Sequence, residues 1–131
     1  MTHENVEVMR AYFAAWDAGN MSTFFELHGP DVIGRGLEDW PEPGPFVGRE
    51  AVMRQWEQMR ATFDTYETEL VGDFIGVGDR VVVRYTWRGV GSGPESNIEI
   101  TGVFTVRKRR VVYMEFFWDH EEALESLGLS E

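Results

Sequence analysis

The chain has no cysteine among its 131 residues, which excludes disulfides, a thiolate nucleophile and Cys-ligated zinc. Basic residues are scarce: 12 Lys and Arg stand against 23 Asp and Glu, a formal charge of −11 at pH 7. A field of that sign repels phosphates. It argues against nucleic acid and anionic membrane surfaces as partners, since both are bound largely through cations that release counterions. Long apolar runs are lacking too. The nearest, Val71 to Val83 and Val111 to Trp118, are broken by Gly, Asp and Arg or are too short to span a bilayer. The N-terminus, MTHENVEV, carries early acids and no basic region ahead of an apolar stretch. No secretory signal is visible, and the cytoplasm is the expected compartment. The three histidines are not at ligand spacing and no acidic cluster accompanies them, so no metal and no other cofactor is expected.

What is present is apolar and aromatic, at 43% and 14% of the residues. That is too much to leave unburied, and residues 1–131 are expected to form a single domain. From Asn5 to Ala18, Val6, Met9, Tyr12, Phe13 and Trp16 recur at spacings of three and four, one face of a helix closed by Gly19-Asn20. A short helix is expected from Ser22 as N-cap, carrying Phe24, Phe25 and Leu27 and stopping at Gly29-Pro30, with a strand from Asp31 to Gly36. Trp40 to Phe46, rich in proline, reads as a loop. A third helix follows Gly48 with Val52, Trp56, Met59 and Phe63 along one stripe.

After Asp64 the period changes to two. Tyr66 to Val77, Arg80 to Val90, Ile98 to Arg107 and Val111 to Trp118 read as successive antiparallel strands. Asp119 to Leu127 reads as a closing helix, with Asp119 and Glu122 as a capping box and Gly128 past its end. Helices first and strands after predict an α+β fold with helices on one face of a mostly antiparallel sheet. Alternation puts Val81, Val83, Tyr85, Trp87, Ile98, Ile100, Gly102, Phe104, Val106, Met114, Phe116 and Trp118 on the helix-covered face. The other face, with Arg84, Glu99, Val103, Thr105, Tyr113, Glu115 and Phe117, is mixed enough to predict a homodimer formed through it. The basic run Arg107 to Arg110 reads as a solvated hairpin turn.

Three segments in order, YFAAWDAG (Tyr12 to Gly19), GPFVGREAV (Gly44 to Val52) and VVYMEFFWDHEEALESLGL (Val111 to Leu129), resemble the SnoaL-like branch of the nuclear-transport-factor-2-like superfamily. The resemblance implies a cone of curved sheet around three helices with an apolar pocket for a small hydrophobic or carbonyl-containing molecule. The family includes ketosteroid isomerases, polyketide cyclases and limonene-type epoxide hydrolases, so membership does not choose a reaction. Tyr12 and Gly19 repeat the spacing of the isomerases' oxyanion-donating tyrosine and helix-ending glycine. The isomerases' two acids fall at Gly36 and Gly102, where this chain has no carboxylate. The resemblance also places Met114 and Trp118 in the pocket wall, and Gln55 or Trp56 on the third helix. No epoxide-hydrolase triplet is found, since Arg84 has the wrong parity.

The candidate residues carry competing readings. Asp119-His120 matches the Asp and His of the family's cyclases, but neighbours on a strand cannot both face inward, and the capping box that Asp119 makes with Glu122 favours a structural role. Tyr12 is an oxyanion donor, a ligand partner or a core tyrosine. Trp16, Trp40, Trp56, Tyr85, Phe104, Met114, Phe116 and Trp118 are candidate pocket residues, with Trp40 a possible lid. The open space expected over Gly102 would admit a ligand closely. His3 and His28 are expected at the surface.

Overall fold

The computed structural model describes residues 2–36, 44–61, 65–90 and 96–128. Helix α1 (Thr2–Ala18) is followed by α2 (Met21–Glu26), β1 (His28–Arg35), β2 (Phe46–Val47), α3 (Arg49–Ala61) and β3 (Thr65–Leu70). Strands β4 (Ile75–Val77), β5 (Arg80–Val90), β6 (Ser96–Arg107) and β7 (Arg110–Phe117) then lead to α4 (His120–Glu125). The strands form one sheet ordered β2-β1-β7-β6-β5-β3, with β4 also paired to β5. Every pairing is antiparallel except that of β1 with β7. This is the α+β architecture expected. Among the described residues no helix is long and apolar enough to cross a membrane.

The apolar stripe of α1 buries Met9, Tyr12, Phe13 and Trp16 against the sheet. The helix ends because Gly19 adopts φ 73°. Its N–H donates to the Trp16 carbonyl at 3.1 Å while Asn20 N–H reaches the Ala15 carbonyl at 2.9 Å, the two bonds of a Schellman stop. Asn20, rather than Ser22, then caps α2, its side chain accepting from the Thr23 N–H at 3.2 Å. An amide oxygen already held beside the first turn satisfies an orphan donor and moves the start ahead of the serine. The first strand also starts early, at His28. Pro30 is tolerated because it sits at a register shift between His28 and Ile33 where no ladder donor is required.

Alternation holds along the long strands. Val81, Val83, Tyr85, Trp87, Ile100, Phe104, Val106 and Met114 join the core beneath α1 and α3. An extra residue at Val112, where Thr105 faces Tyr113 but Val106 faces Val111, is a bulge that brings both Val111 and Met114 to the same side. The stretch read as one strand from Tyr66 to Val77 is two, separated around Gly72, whose φ is 75°. Trp118 lies beyond β7 and is 45% exposed. The strand stops at Phe117 because the chain turns there to let Asp119 cap α4, its carboxylate accepting from the Glu121 N–H at 3.0 Å.

On the opposite face α4 covers a second cluster, in which Val82 and Val103 meet Ala123 and Leu124 with Phe117 beside them. Val103, one of the residues on which a dimer was expected, is thus buried by the chain's own last helix, and Thr105 is buried as well. At the β6–β7 hairpin, Lys108 and Arg109 both have positive φ, 51° and 65°, the turn that matches strand twist. The basic run is answered within the chain: Arg107 Nε donates to Asp79 at 3.0 Å and Arg109 lies 3.7 Å from Glu4.

Candidate functional site

Between α1, α3 and the sheet lies a cavity of about 50 Å³ whose walls are almost wholly apolar. The space is open to solvent on one side, so a ligand larger than the enclosed part can seat one end in it. Its floor is buried: Tyr12, Phe24, Phe104 and Met114. Toward solvent the half-buried Phe46, Gln55, Trp56 and Thr68 mark the mouth, together with Arg35 and Gly36 at the end of β1. Thr68 is tied there to the end of α1, its hydroxyl donating to Asp17 at 2.7 Å. The rings pack edge to face, Trp56 on Trp16 at 5.4 Å and on Phe116 at 5.5 Å, and Phe104 on Phe116 at 5.7 Å, an arrangement favourable for aromatic quadrupoles.

Of the residues singled out from sequence, Tyr12, Trp16, Gln55, Trp56, Tyr85, Phe104, Met114 and Phe116 meet at this cavity, as does Gly36. Three others stand elsewhere. Trp118 does not line it, for the reason given by the end of β7. Asp119 and His120 belong to the opposite face, where His120 Nδ1 is 3.1 Å from the hydroxyl of Thr101 and Asp119 is a cap. The sheet therefore separates this pair from Tyr12. Trp40 lies outside the described residues. The open space expected over Gly102 is filled: a Cβ there would meet the Phe104 ring at 2.7 Å and Phe116 at 3.2 Å. The side chain two residues along the strand has folded back over the glycine.

The residue that sequence reading missed is His28. It is fully buried, not a surface residue beside a turn. Its Nδ1 lies 2.8 Å from the Phe24 carbonyl, in the last turn of α2, and its Nε2 lies 2.9 Å from the Tyr12 hydroxyl. A backbone carbonyl only accepts, so Nδ1 carries the proton. Burial holds the imidazole neutral by pushing its pKa down to about 4, an effect stronger than the Phe24 carbonyl's support for the charged form. Nε2 is therefore an acceptor and Tyr12 is the donor to it. The tyrosine itself stays protonated: burial raises its pKa well above 10, with Tyr85 acting in the same sense and the Trp56 indole N–H in the opposite one. Met114 Sδ, 3.9 Å from the hydroxyl, is a much weaker acceptor than the imidazole. The available signal for His28 was period two counted backwards from Val32, through a Gly-Pro pair that reads as a break.

Among the described residues no three His, Asp or Glu side chains converge as a metal site would require. No carboxylate, imidazole or amine lines the cavity among them. Met9 to Met114 match the model of the SnoaL-like domain, which spans most of the chain and all of the cavity lining except Phe116. The chain belongs to the SnoaL-like family. Solved structures of the same fold include Bal32a from a soil-derived mobile gene cassette, 22% identical over 88% of each chain with a TM-score of 0.80. An NTF2-like protein of unknown function from Burkholderia pseudomallei is 20% identical over 93% of this chain and 95% of that one, TM-score 0.76. TerC, co-crystallised with polyporic acid, is 21% identical over 95% of this chain and 97% of that one, TM-score 0.76. At these identities the likeness establishes the fold of a SnoaL-like protein. No curated protein matches the chain by sequence.

Proposed function

We propose that this SnoaL-like protein binds a small, flat, predominantly apolar molecule in the cavity beside Tyr12, without acting on it by proton transfer. The observation that carries the reading is the lining itself: aromatic and aliphatic side chains around two buried phenols, Tyr12 and Tyr85, with no carboxylate or imidazole facing inward among the described residues. An apolar cavity with few polar groups suits a ligand held by burial and oriented by one contact. General acid–base work instead needs a group that titrates near neutrality within reach of the substrate. Burial holds both cavity tyrosines, Tyr12 and Tyr85, protonated at neutral pH. That TerC, of the same fold, was crystallised with polyporic acid accords with binding.

The test is titration with N-phenyl-1-naphthylamine, a neutral probe that fluoresces on leaving water, in the native protein and in Gly34→Leu. Gly34 lies on the cavity wall, where an added Cβ would touch Met114 at 3.4 Å and Val52 at 3.5 Å, so a leucine fills the space without backbone strain. Saturable binding lost in the variant is the expected outcome. Absent binding, or binding indifferent to the plug, would refute it. Incubation with a β,γ-unsaturated ketosteroid should yield no conjugated enone. Self-association through the outer face now rests on the half-buried Tyr113, Glu115 and Phe117, and a 15.1 kDa species in sedimentation would remove it.

A further inference from the structure

We infer, on the reading of the cavity as a binding site, that Tyr85 orients the ligand by donating a hydrogen bond from its hydroxyl to an acceptor on the bound molecule, a carbonyl or ring oxygen. The two buried phenols of the cavity wall stand differently. Tyr12 is engaged: its proton goes to His28 Nε2 at 2.9 Å, and the Trp56 indole and Met114 Sδ, the latter 3.9 Å away, neighbour its oxygen. Tyr85 is not, for among the described residues its hydroxyl makes no hydrogen bond. A hydroxyl both unbonded and wholly sealed would be an unsatisfied buried donor, which folded chains avoid. The Tyr85 oxygen is not such a sealed atom. The 4% of the residue left accessible therefore reaches its oxygen, and the space that the residue lines is the cavity.

The sequence places this hydroxyl and the packing holds it. Tyr85 stands within β5, opposite Ile100 of β6 and Leu70 of β3, and Phe13 packs edge to face on its ring at 5.1 Å. The donor is thus set before any ligand arrives, which spares the cost of ordering it on binding. A phenol shares its oxygen lone pair with the ring, so it gives a hydrogen bond more readily than it takes one. Burial pushes the Tyr85 pKa above its ordinary value, so the proton is present to be shared and is not given up. A ligand acceptor that meets Tyr85 gains a bond and breaks none. At Tyr12 the same acceptor would have to draw the proton off His28 and leave a buried imidazole nitrogen without its donor.

The probes are 1-tetralone and its oxygen-free parent tetralin, measured at neutral pH by displacement of N-phenyl-1-naphthylamine from the native protein, Tyr85→Phe and Tyr12→Phe. Tyr85→Phe should weaken 1-tetralone by about fivefold or more and change tetralin by less than about twofold. In Tyr12→Phe the two probes should shift together. Because the Tyr85 hydroxyl holds nothing in the free protein, its removal should leave the thermal midpoint unchanged or raised; a lowered midpoint would mean that the hydroxyl is bonded within the fold, against the assignment. Equal responses of both probes in Tyr85→Phe, or a carbonyl-specific loss that appears in Tyr12→Phe instead, would overturn it while leaving the cavity reading in place. So would a carbonyl preference that survives Tyr85→Phe, which would put the donor on another wall group such as the Trp87 indole. If the dye binds and neither probe displaces it, the inference fails alone. If the dye does not bind, the cavity reading falls and this inference with it.

Discussion

On one face of β5, β6 and β7 the side chains are Tyr85, Trp87, Phe104, Met114 and Phe116, closed over by α1 and α3. On the other, Val82 and Val103 meet the short helix α4 while Arg84 and Glu99 pair at 2.9 Å in the open. Each face also engages one histidine. His28 is wholly enclosed between an acceptor-only carbonyl and a phenol, whereas His120 rests half-buried on a threonine hydroxyl that can give or take a proton. The difference teaches that proximity of acid-base residue types says little about chemistry. What fixes the proton positions at His28 is the loss of alternatives: no exposure to solvent, no carboxylate among its hydrogen-bond partners, and one partner that can only accept.

The largest way to break the comparison is to hollow the enclosed face. Phe104 is 1% exposed and packs on Tyr12, Phe13 and Phe116. Phe104→Ala should cost about 3–5 kcal/mol in urea unfolding. Phe117→Ala, half-buried under α4, should cost less than half as much, and equal losses would mean the faces are equivalently packed.

Acid comes next. His28 has a folded pKa of about 4 against an ordinary 6.5, so between those values the unfolded chain binds the extra proton. The stabilisation is therefore complete above pH 6.5 and is lost as pH falls toward 4, roughly 3 kcal/mol in all. Carboxylates titrating in the same range affect native protein and His28→Leu alike. The stability gap between the two should narrow on acidification through this window, and a gap independent of pH would show that the imidazole is not held neutral.

A smaller effect sharpens the separation of the faces. Asp119→Ala removes the α4 cap and should cost on the order of 1 kcal/mol with probe affinity in the cavity unchanged. A loss of binding would couple Asp119 to the cavity after all. Smallest of all, Glu99→Gln loosens an exposed pair with Arg84 and should cost under about 1 kcal/mol, less still in high salt; thermal melts at two ionic strengths are the measurement.

Much of this was legible in the chain because periodicity reports burial. The spacing of Met9, Tyr12, Phe13 and Trp16 and the alternation from Val81 to Trp87 located the cavity wall, since only side chains of that size on one side can close over a sheet. The site's polarity was not legible. It depends on His28 standing in a strand that passes through Gly29-Pro30, a pair that in sequence signals a break, and on a register shift that excuses the proline. Gly102 misled for a related reason: a missing side chain predicts a gap only if no neighbour can fold into it, and Phe104 does. Trp118 followed the alternation one residue too far, because a capping carboxylate next to it ends the strand.

The parallel pairing of β1 with β7 bears on how the protein is made. The β5–β6–β7 ladder joins neighbours in sequence, and the β6–β7 turn needs just Lys108 and Arg109, so it closes at little entropic cost. β1 has the two-residue β2 on one side, and on the other it waits for Val111, Tyr113, Met114 and Glu115, with the Val111 N–H donating to the Leu27 carbonyl at 2.8 Å. During synthesis, then, the strand that carries His28 has no lasting partner on that side until β7 has left the ribosome. The strand that carries His28 is made well before the neighbour that completes its pairing.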